Sequence, residues 1–366
     1  MLHSLTSQDG DGQGRDVFGV LAYALALAVH SVTLVLAVCG VWLLAGVGGG
    51  FGITAGLVLL AFAWSLRPRL VRMPEDGVVL RRDEAPELYA LIDEVGRVVG
   101  TRGVDVVVVN GEINAGVSVL GLRRRMLVVG LPLWEVLAPR ERIALLGHEL
   151  AHFVNGDTRH GLVVTSAYRT LATWHHYFSP INDAVGWLQM LTNLAIVPFR
   201  LLTSGLLSVL DLLSVRASQR GEYLADRAAA RVASTDAAVG LLDRLLVIES
   251  VEISLRREIN SRRMGGPGRP KARDAGNGLW DELASSMGEI PDFEYERRRR
   301  VGERRGHSVD ATHPPTHLRR RHLLETASLP ASLGVDGDRG ARIGVELSGA
   351  RADVARVLVR DGLDGD

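Results

Sequence analysis

The chain has 366 residues, 47% of them hydrophobic, and 42 Lys and Arg balance 42 Asp and Glu. That length can hold two or three domains with a sizeable core, and zero net charge gives no electrostatic case for a nucleic-acid partner. A lone cysteine, Cys39, excludes a disulfide framework or a cysteine zinc site within one chain, and Lys271 as the sole lysine suggests a G+C-rich bacterial genome.

Residues 1–16 are polar, rich in Gly and Asp, and expected to be mobile. Val17–Ala45 carries no Asp, Glu, Lys or Arg and is long enough to cross a bilayer. It has no basic start and is too long for a secretory signal. Gly46–Gly50 predicts a turn and Phe51–Leu66 a second apolar run, so 17–72 reads as a transmembrane hairpin. His30 in the first span is expected to pack. Arg67, Arg69 and Arg72 follow the second span, which places that end and the N-terminus in the cytoplasm.

Residues 73–159 read as the soluble first part of a catalytic domain. Pro86 opens a helix with Leu88, Leu91, Ile92, Val95, Val98 and Val99 as its buried stripe. Val104–Val109 is a β-branched strand. Ile113–Leu120 and Met126–Gly130 predict a hairpin, with Arg123, Arg124 and Arg125 at a solvated tip. Then comes 138–157, expected as one helix. Pro139 suits its first turn, Ile143, Leu146, Leu150 and Val154 recur at helical spacing, and Gly156 ends it. Inside lies His148-Glu149-Leu150-Ala151-His152. Histidines four apart share a helix face, so His148 and His152 can hold one metal ion, with Glu149 as the base beside it.

Residues 160–215 are apolar again. Val185–Leu213 is long enough to span, whereas Leu162–Phe178 is more polar. If a further ligand lies beyond this region, the chain crosses the bilayer an even number of times. Either both segments form a hairpin turning near 179–183, or neither crosses and both lie in the interface; the hairpin is preferred. The second part of the catalytic domain is expected over 216–330, with helices at Gln219–Ala233 and Thr235–Ser254 and a mobile Gly/Pro/Arg-rich loop at 262–278. The run Arg297–Arg300 with Arg304 and Arg305 reads as a solvated helix face. A C-terminal extension, 331–366, carries a strand and a short helix between Val345 and Leu358.

Catalytic zinc takes three protein ligands and a water. One class of site would need a Gly and a His three and six residues after His152, but Asn155 and Thr158 stand there. There is no glutamate between Glu149 and Glu222, so Glu222 is the candidate third ligand and Asp157 the runner-up. Asp226, one helical turn beyond Glu222, suits a carboxylate that orients a ligating histidine.

The blocks His148-Glu149-Leu150-Ala151-His152 with Asn155-Gly156-Asp157, then Glu222-Tyr223-Leu224-Ala225-Asp226, then Thr312-His313-Pro314-Pro315-Thr316-His317-Leu318-Arg319, resemble the M48 family of integral-membrane zinc metallopeptidases (HtpX/Ste24-like). The resemblance runs from about residue 17 to 325. It implies one Zn2+ per chain held by His148, His152 and Glu222, Glu149 as general base, Asp226 supporting a ligand, and His313 and Arg319 assisting the transition state. It further implies that Asn114 and Ala115 belong to an edge strand that binds substrate backbone, although Gly116 replaces the family's aromatic residue there. The expected fold is α+β: a mainly helical, membrane-embedded, zincin-like metalloprotease with a small β-sheet and about four transmembrane helices.

The expected function is zinc-dependent endopeptidase activity on membrane-associated or misfolded proteins. The expected location is a bacterial cytoplasmic membrane, with the site on the cytoplasmic side. The bilayer and protein or peptide substrates are the partners; oligomeric state is open. A narrow processing peptidase would use the same residues. A non-catalytic zinc scaffold would close its site with four ligands and has no need of Glu149.

Overall fold

The computed structural model describes residues 17–47, 49–68, 71–121, 123–154, 157–180, 186–264, 278–305, 314–334 and 336–363. In chain order the helices and strands are α1 (Val17–Trp42), α2 (Gly49–Ser65), β1 (Val78–Leu80), α3 (Pro86–Val99), β2 (Val106–Asn110), β3 (Ala115–Leu120), β4 (Arg124–Gly130), α4 (Leu131–Val136), α5 (Pro139–Ala151), α6 (Asp157–Tyr177), α7 (Trp187–Ala233), α8 (Thr235–Leu246), α9 (Ile248–Arg263), α10 (Leu279–Gly288), α11 (Asp292–Arg305), α12 (Thr316–Glu325), α13 (Gly337–Glu346) and α14 (Ser348–Asp361). The mainly helical character and the small sheet agree with the expectation. Two compact units emerge, Met1–Arg69 with His160–Ala217, and Leu70–Arg159 with Ser218–Asp366.

The first unit is apolar. Val17–Val47 and α7 are long and apolar enough to cross a membrane; α2 is apolar but has 17 residues. Of four expected spans, these two meet the test of length and composition. A π-helical turn, Leu43–Val47, ends the first span, and Gly49 opens α2 at φ +69°, a conformation glycine adopts without strain. The hairpin packs tightly: a Cβ on Gly56 would lie 2.8 Å from the Gly40 carbonyl oxygen. Ala22, Ala26 and Val29 of α1 form a buried cluster with Ala167, Leu171 and Trp174 of α6 and Leu210 of α7. His30 packs as expected, its Nε2 lying 3.0 Å from Ser166 Oγ and 3.2 Å from the Val163 carbonyl.

The second unit is built on a four-stranded sheet of order β1-β2-β4-β3. β1 runs antiparallel to β2, β2 parallel to β4, and β3 antiparallel to β4. Central β2 is buried at every position, which is why its sequence is an unbroken valine run ending in Asn110. Val106, Val108 and Met126 form one face's core with Val71, Met73, Leu120 and Val128 around it. On the other face, Val109 and Val129 meet Leu88, Leu131, Trp134 and Leu347. The Tyr89 hydroxyl accepts from Val107 N–H at 2.9 Å and donates to the Leu80 carbonyl at 2.8 Å, joining α3 to β1 and β2.

Several boundaries differ from the expected ones. α5 stops at Ala151 rather than running to Gly156; the bends that follow leave His152 and Phe153 in turns, and residues 155–156 lie outside the described ones. The predicted hairpin tip is shorter, because Arg124 and Arg125 belong to β4. Arg125 is no solvated tip: it donates to Thr101 Oγ1 and the Arg102 carbonyl, and lies over the Phe153 ring at 4.5 Å. α7 continues without a break from the apolar stretch through Glu222, merging two predicted elements. The helix expected at Thr235–Ser254 is two, α8 and α9, separated at Val247. Among its described residues, the extension beyond 331 holds two helices and no strand: Ile343 and Leu347 of α13 and its end, then Ala350, Val354, Ala355 and Leu358, bury at helical spacing. The arginines of α11 are largely neutralised at close range, Arg297 and Arg298 by Glu294 and Arg300 by Glu296. Residues 1–16 and 265–277 lie outside the described ones.

Candidate metal centre

Three helices of the second unit supply the site. The first is α5. The Glu141 carboxylate accepts from Ala138 N–H at 2.8 Å, and Pro139 needs no partner, so the helix starts cleanly. Ile143, Leu146 and Leu150 are fully buried and fix its rotation, which sets His148 and Glu149 inward. The second is the end of α7, where Ala225, Ala228, Ala229 and Ala230 are buried. Small residues let the two helices approach: a Cβ on Gly147 would meet Ala229 Cα at 3.2 Å. Glu222 and Asp226 occupy the same face as Ala229 and so point at α5. The third is α12, which buries Arg319 and, one turn on, Leu323.

These side chains converge. Ligand atoms of His148, His152 and Glu222 all lie within 4.8 Å of one another. His148 Nε2 is 3.5 Å from Glu222 Oε2, and His152 Nε2 is 3.6 Å from Glu222 Oε1. The corners of a tetrahedral zinc site with bonds of about 2.05 Å are separated by about 3.3 Å; each histidine lies near that spacing from a Glu222 oxygen, so the three side chains could hold one zinc ion once the set, spread over as much as 4.8 Å, draws in around it. His148 Nδ1 faces Asp226 Oδ1 at 3.1 Å, which leaves Nε2 toward Glu222, where it could ligate a zinc ion. Arg319 donates to Asp226 through Nε at 2.8 Å and Nη2 at 2.6 Å, and its Nη1 lies 3.2 Å from Glu222 Oε2. Glu222 keeps 2% of its side chain exposed and His152 keeps 19%.

The electrostatics favour a cation. Burial pushes the His148 imidazole down, but hydrogen bonds to Asp226 and Glu222 outweigh it and lift it to about 10. Burial would raise the Asp226 carboxyl, yet hydrogen bonds from Arg319 and His148 hold it below its ordinary range. Arg319 is raised, because Asp226 and the charges of Glu222 and Glu149 exceed the cost of its burial. Two carboxylates thus retain positive charge on His148, the position a metal would take over.

Five predicted residues, His148, His152, Glu222, Asp226 and Arg319, are therefore one cluster, and Glu149, 8% exposed, lies on the same helix. His313 lies outside the described residues, as does the side chain of Asp157, the runner-up ligand. Asn114 and Ala115 stand at the start of β3, the outer strand beside β4, against which α5 also packs. Asn114 Oδ1 accepts from Ala115 N–H at 2.8 Å. Arg319 is singled out only by the family resemblance; no local sequence pattern signals its salt bridge to Asp226 and Glu222. His322 lies edge-on to the Tyr223 ring at 5.0 Å.

The sequence model of peptidase family M48 matches residues 83–327, well over half of the chain. No curated protein and no solved structure matches it.

Proposed function

This chain belongs to peptidase family M48, and from that premise we propose that it is a membrane-bound, zinc-dependent endopeptidase acting on membrane-associated or misfolded proteins. The buried His148, His152 and Glu222 group carries the reading. A zinc ion, when bound, acidifies a water and polarises a carbonyl. Glu149 accepts the proton of the attacking water on its carboxylate and passes it to the departing amine nitrogen. Asp226 holds His148 through Nδ1, and Arg319 holds Asp226 and Glu222. His313 donates to the developing oxyanion, a role that rests on the resemblance of its motif. An extended substrate adds as a strand beside β3, through backbone hydrogen bonds that tolerate many side chains.

We read α1 with α2, and α6 with the 187–213 part of α7, as two membrane hairpins. The cluster that joins α1, α6 and α7 supports counting α6 with the spans. Arg67, Arg69 and Arg72 support a cytoplasmic catalytic site in a bacterial cell membrane.

The test is metal dependence. Purified protein in detergent, stripped with a chelator, should leave unfolded casein intact and regain cleavage with one equivalent of zinc. Cleavage that persists after stripping, or that zinc fails to restore, would refute the proposal.

A further inference from the structure

We propose that Gly116 determines a side-chain preference of this peptidase, selecting a large aromatic or branched apolar residue at the substrate position that lies beside it. The inference rests on the reading of β3 as the strand that receives substrate.

The backbone pattern of β3 fixes which groups face the open edge. Gly130 N–H donates to the Asn114 carbonyl at 2.8 Å, and β3 and β4 pair Ala115 with Val129 and Gly116 with Val128. Bonded pairs alternate in an antiparallel ladder, so Gly116 turns its N–H and C=O inward to Val128. Ala115, Val117 and Val119 turn theirs outward, where among the described residues no strand pairs with them; of these groups, Ala115 N–H already donates to Asn114 Oδ1, so its carbonyl and the groups of Val117 and Val119 are the ones offered to a substrate. An antiparallel substrate strand would exchange hydrogen bonds with these outward groups. The residue across from Gly116 then falls at a non-bonded pair, with Cα atoms about 4.5 Å apart, the closest side-chain approach in such a ladder.

At that position β3 offers no side chain. A Cβ built on Gly116 meets nothing within 4 Å, and its φ is not positive, so steric or backbone need does not explain the glycine. Glycine inside a strand weakens it and often marks close approach of a ligand or another backbone. Gly116 shares its sheet face with Val128 directly across and with the Val106, Val108 and Met126 core beyond. Val128 is only half-buried. A bulky substrate side chain laid over the glycine would cover its bare backbone and contact Val128, the pairing by which aromatic residues compensate edge glycines. Small or charged residues would leave that apolar face uncovered.

The experiment maps cleavage sites in unfolded casein by mass spectrometry for the zinc-loaded wild type, Gly116→Ala and Gly116→Phe. In the wild type one position relative to the cut should be enriched in Phe, Tyr, Trp, Leu or Ile, by ~3–5-fold over Ala, the scale of one good cross-strand pair. The enrichment should shrink in Gly116→Ala and vanish in Gly116→Phe. A binding readout accompanies it. Zinc-loaded Glu149→Gln protein should prefer a casein-derived peptide with Phe at that position to its Ala counterpart by a similar factor, and Glu149→Gln with Gly116→Phe should bind both equally. If Gly116→Phe fails to fold, Gly116→Val, which suits a strand, makes the same comparison. An absent enrichment, or one that survives the substitution with zinc content unchanged, overturns the inference. Failure of the underlying proposal looks different: zinc-loaded wild type then leaves casein uncut.

Discussion

Replacing Asp226 by Asn removes one charge from the metal centre while almost preserving its shape. In the wild type, Asp226 accepts two hydrogen bonds from Arg319, at 2.6 and 2.8 Å, and faces His148 Nδ1 at 3.1 Å. Arg319 is 4% exposed, so the substitution leaves a buried guanidinium with Glu222, 3.2 Å away, as its remaining anionic contact in this cluster. Removing one partner of a buried pair costs about 3–5 kcal/mol; the surviving contact to Glu222 puts the expected loss of metal-free stability near ~3 kcal/mol. Zinc binding should weaken as well, because the imidazole loses the carboxylate that orients it. Such outer carboxylates contribute about 10–100-fold to metal affinity, or ~1.4–2.7 kcal/mol. The assay is a zinc competition titration against a chromogenic chelator, with denaturant unfolding of the stripped protein in parallel. Affinity within about twofold of the wild type, in protein that still folds, would refute the claim that Asp226 orients His148.

Four further substitutions probe other parts of the account. Glu222→Ala should abolish stoichiometric zinc in metal analysis while Asp157→Ala leaves it intact; the reverse result would reassign the third ligand. Glu346 accepts from the N–H groups of Glu87 and Leu88 and so caps α3, whose own Ala85 has no capping side chain; Glu346→Ala should cost about 1 kcal/mol in urea unfolding, and no change would deny the C-terminal extension that role. The Arg339 guanidinium, 2.7 Å from Glu94, holds that carboxyl below its usual 4.5. A depressed carboxyl stabilises the fold above its unfolded pKa and loses that contribution as pH falls through the lower folded value. Arg339→Gln should therefore lower the unfolding midpoint at neutral pH, and the difference from wild type should shrink as pH drops below about 4.5; a constant difference would contradict the pairing.

The metal site was legible in the sequence because its chemistry is periodic. His148 and His152 sit four apart on an apolar-faced helix, Glu222 is the first glutamate after Glu149, and Asp226 repeats it one turn later. Arg319 was legible only through the resemblance, since no local pattern announces that an arginine near the end of the catalytic domain will bury itself against two carboxylates. The helix over 138–157 read too long because Val154 keeps the apolar spacing after the backbone has already turned. Arg124 and Arg125 read as a loop tip because charge masks a strand; a thermodynamic partner such as the Phe153 ring is invisible until the fold brings it near. The extension beyond 331 misled for the opposite reason: Val345 and its neighbours suggest a strand, but burial at 343, 347, 350 and 354 follows a helix.

The central claim is that Glu149 is the base of a zinc peptidase. Glu149→Gln keeps the size and hydrogen-bonding reach of the side chain but removes its ability to take a proton at neutral pH. Zinc content and casein cleavage should be measured on the same purified preparation. The account predicts zinc at the wild-type level with cleavage reduced by at least about 10²-fold; cleavage at the wild-type rate with zinc retained would contradict it.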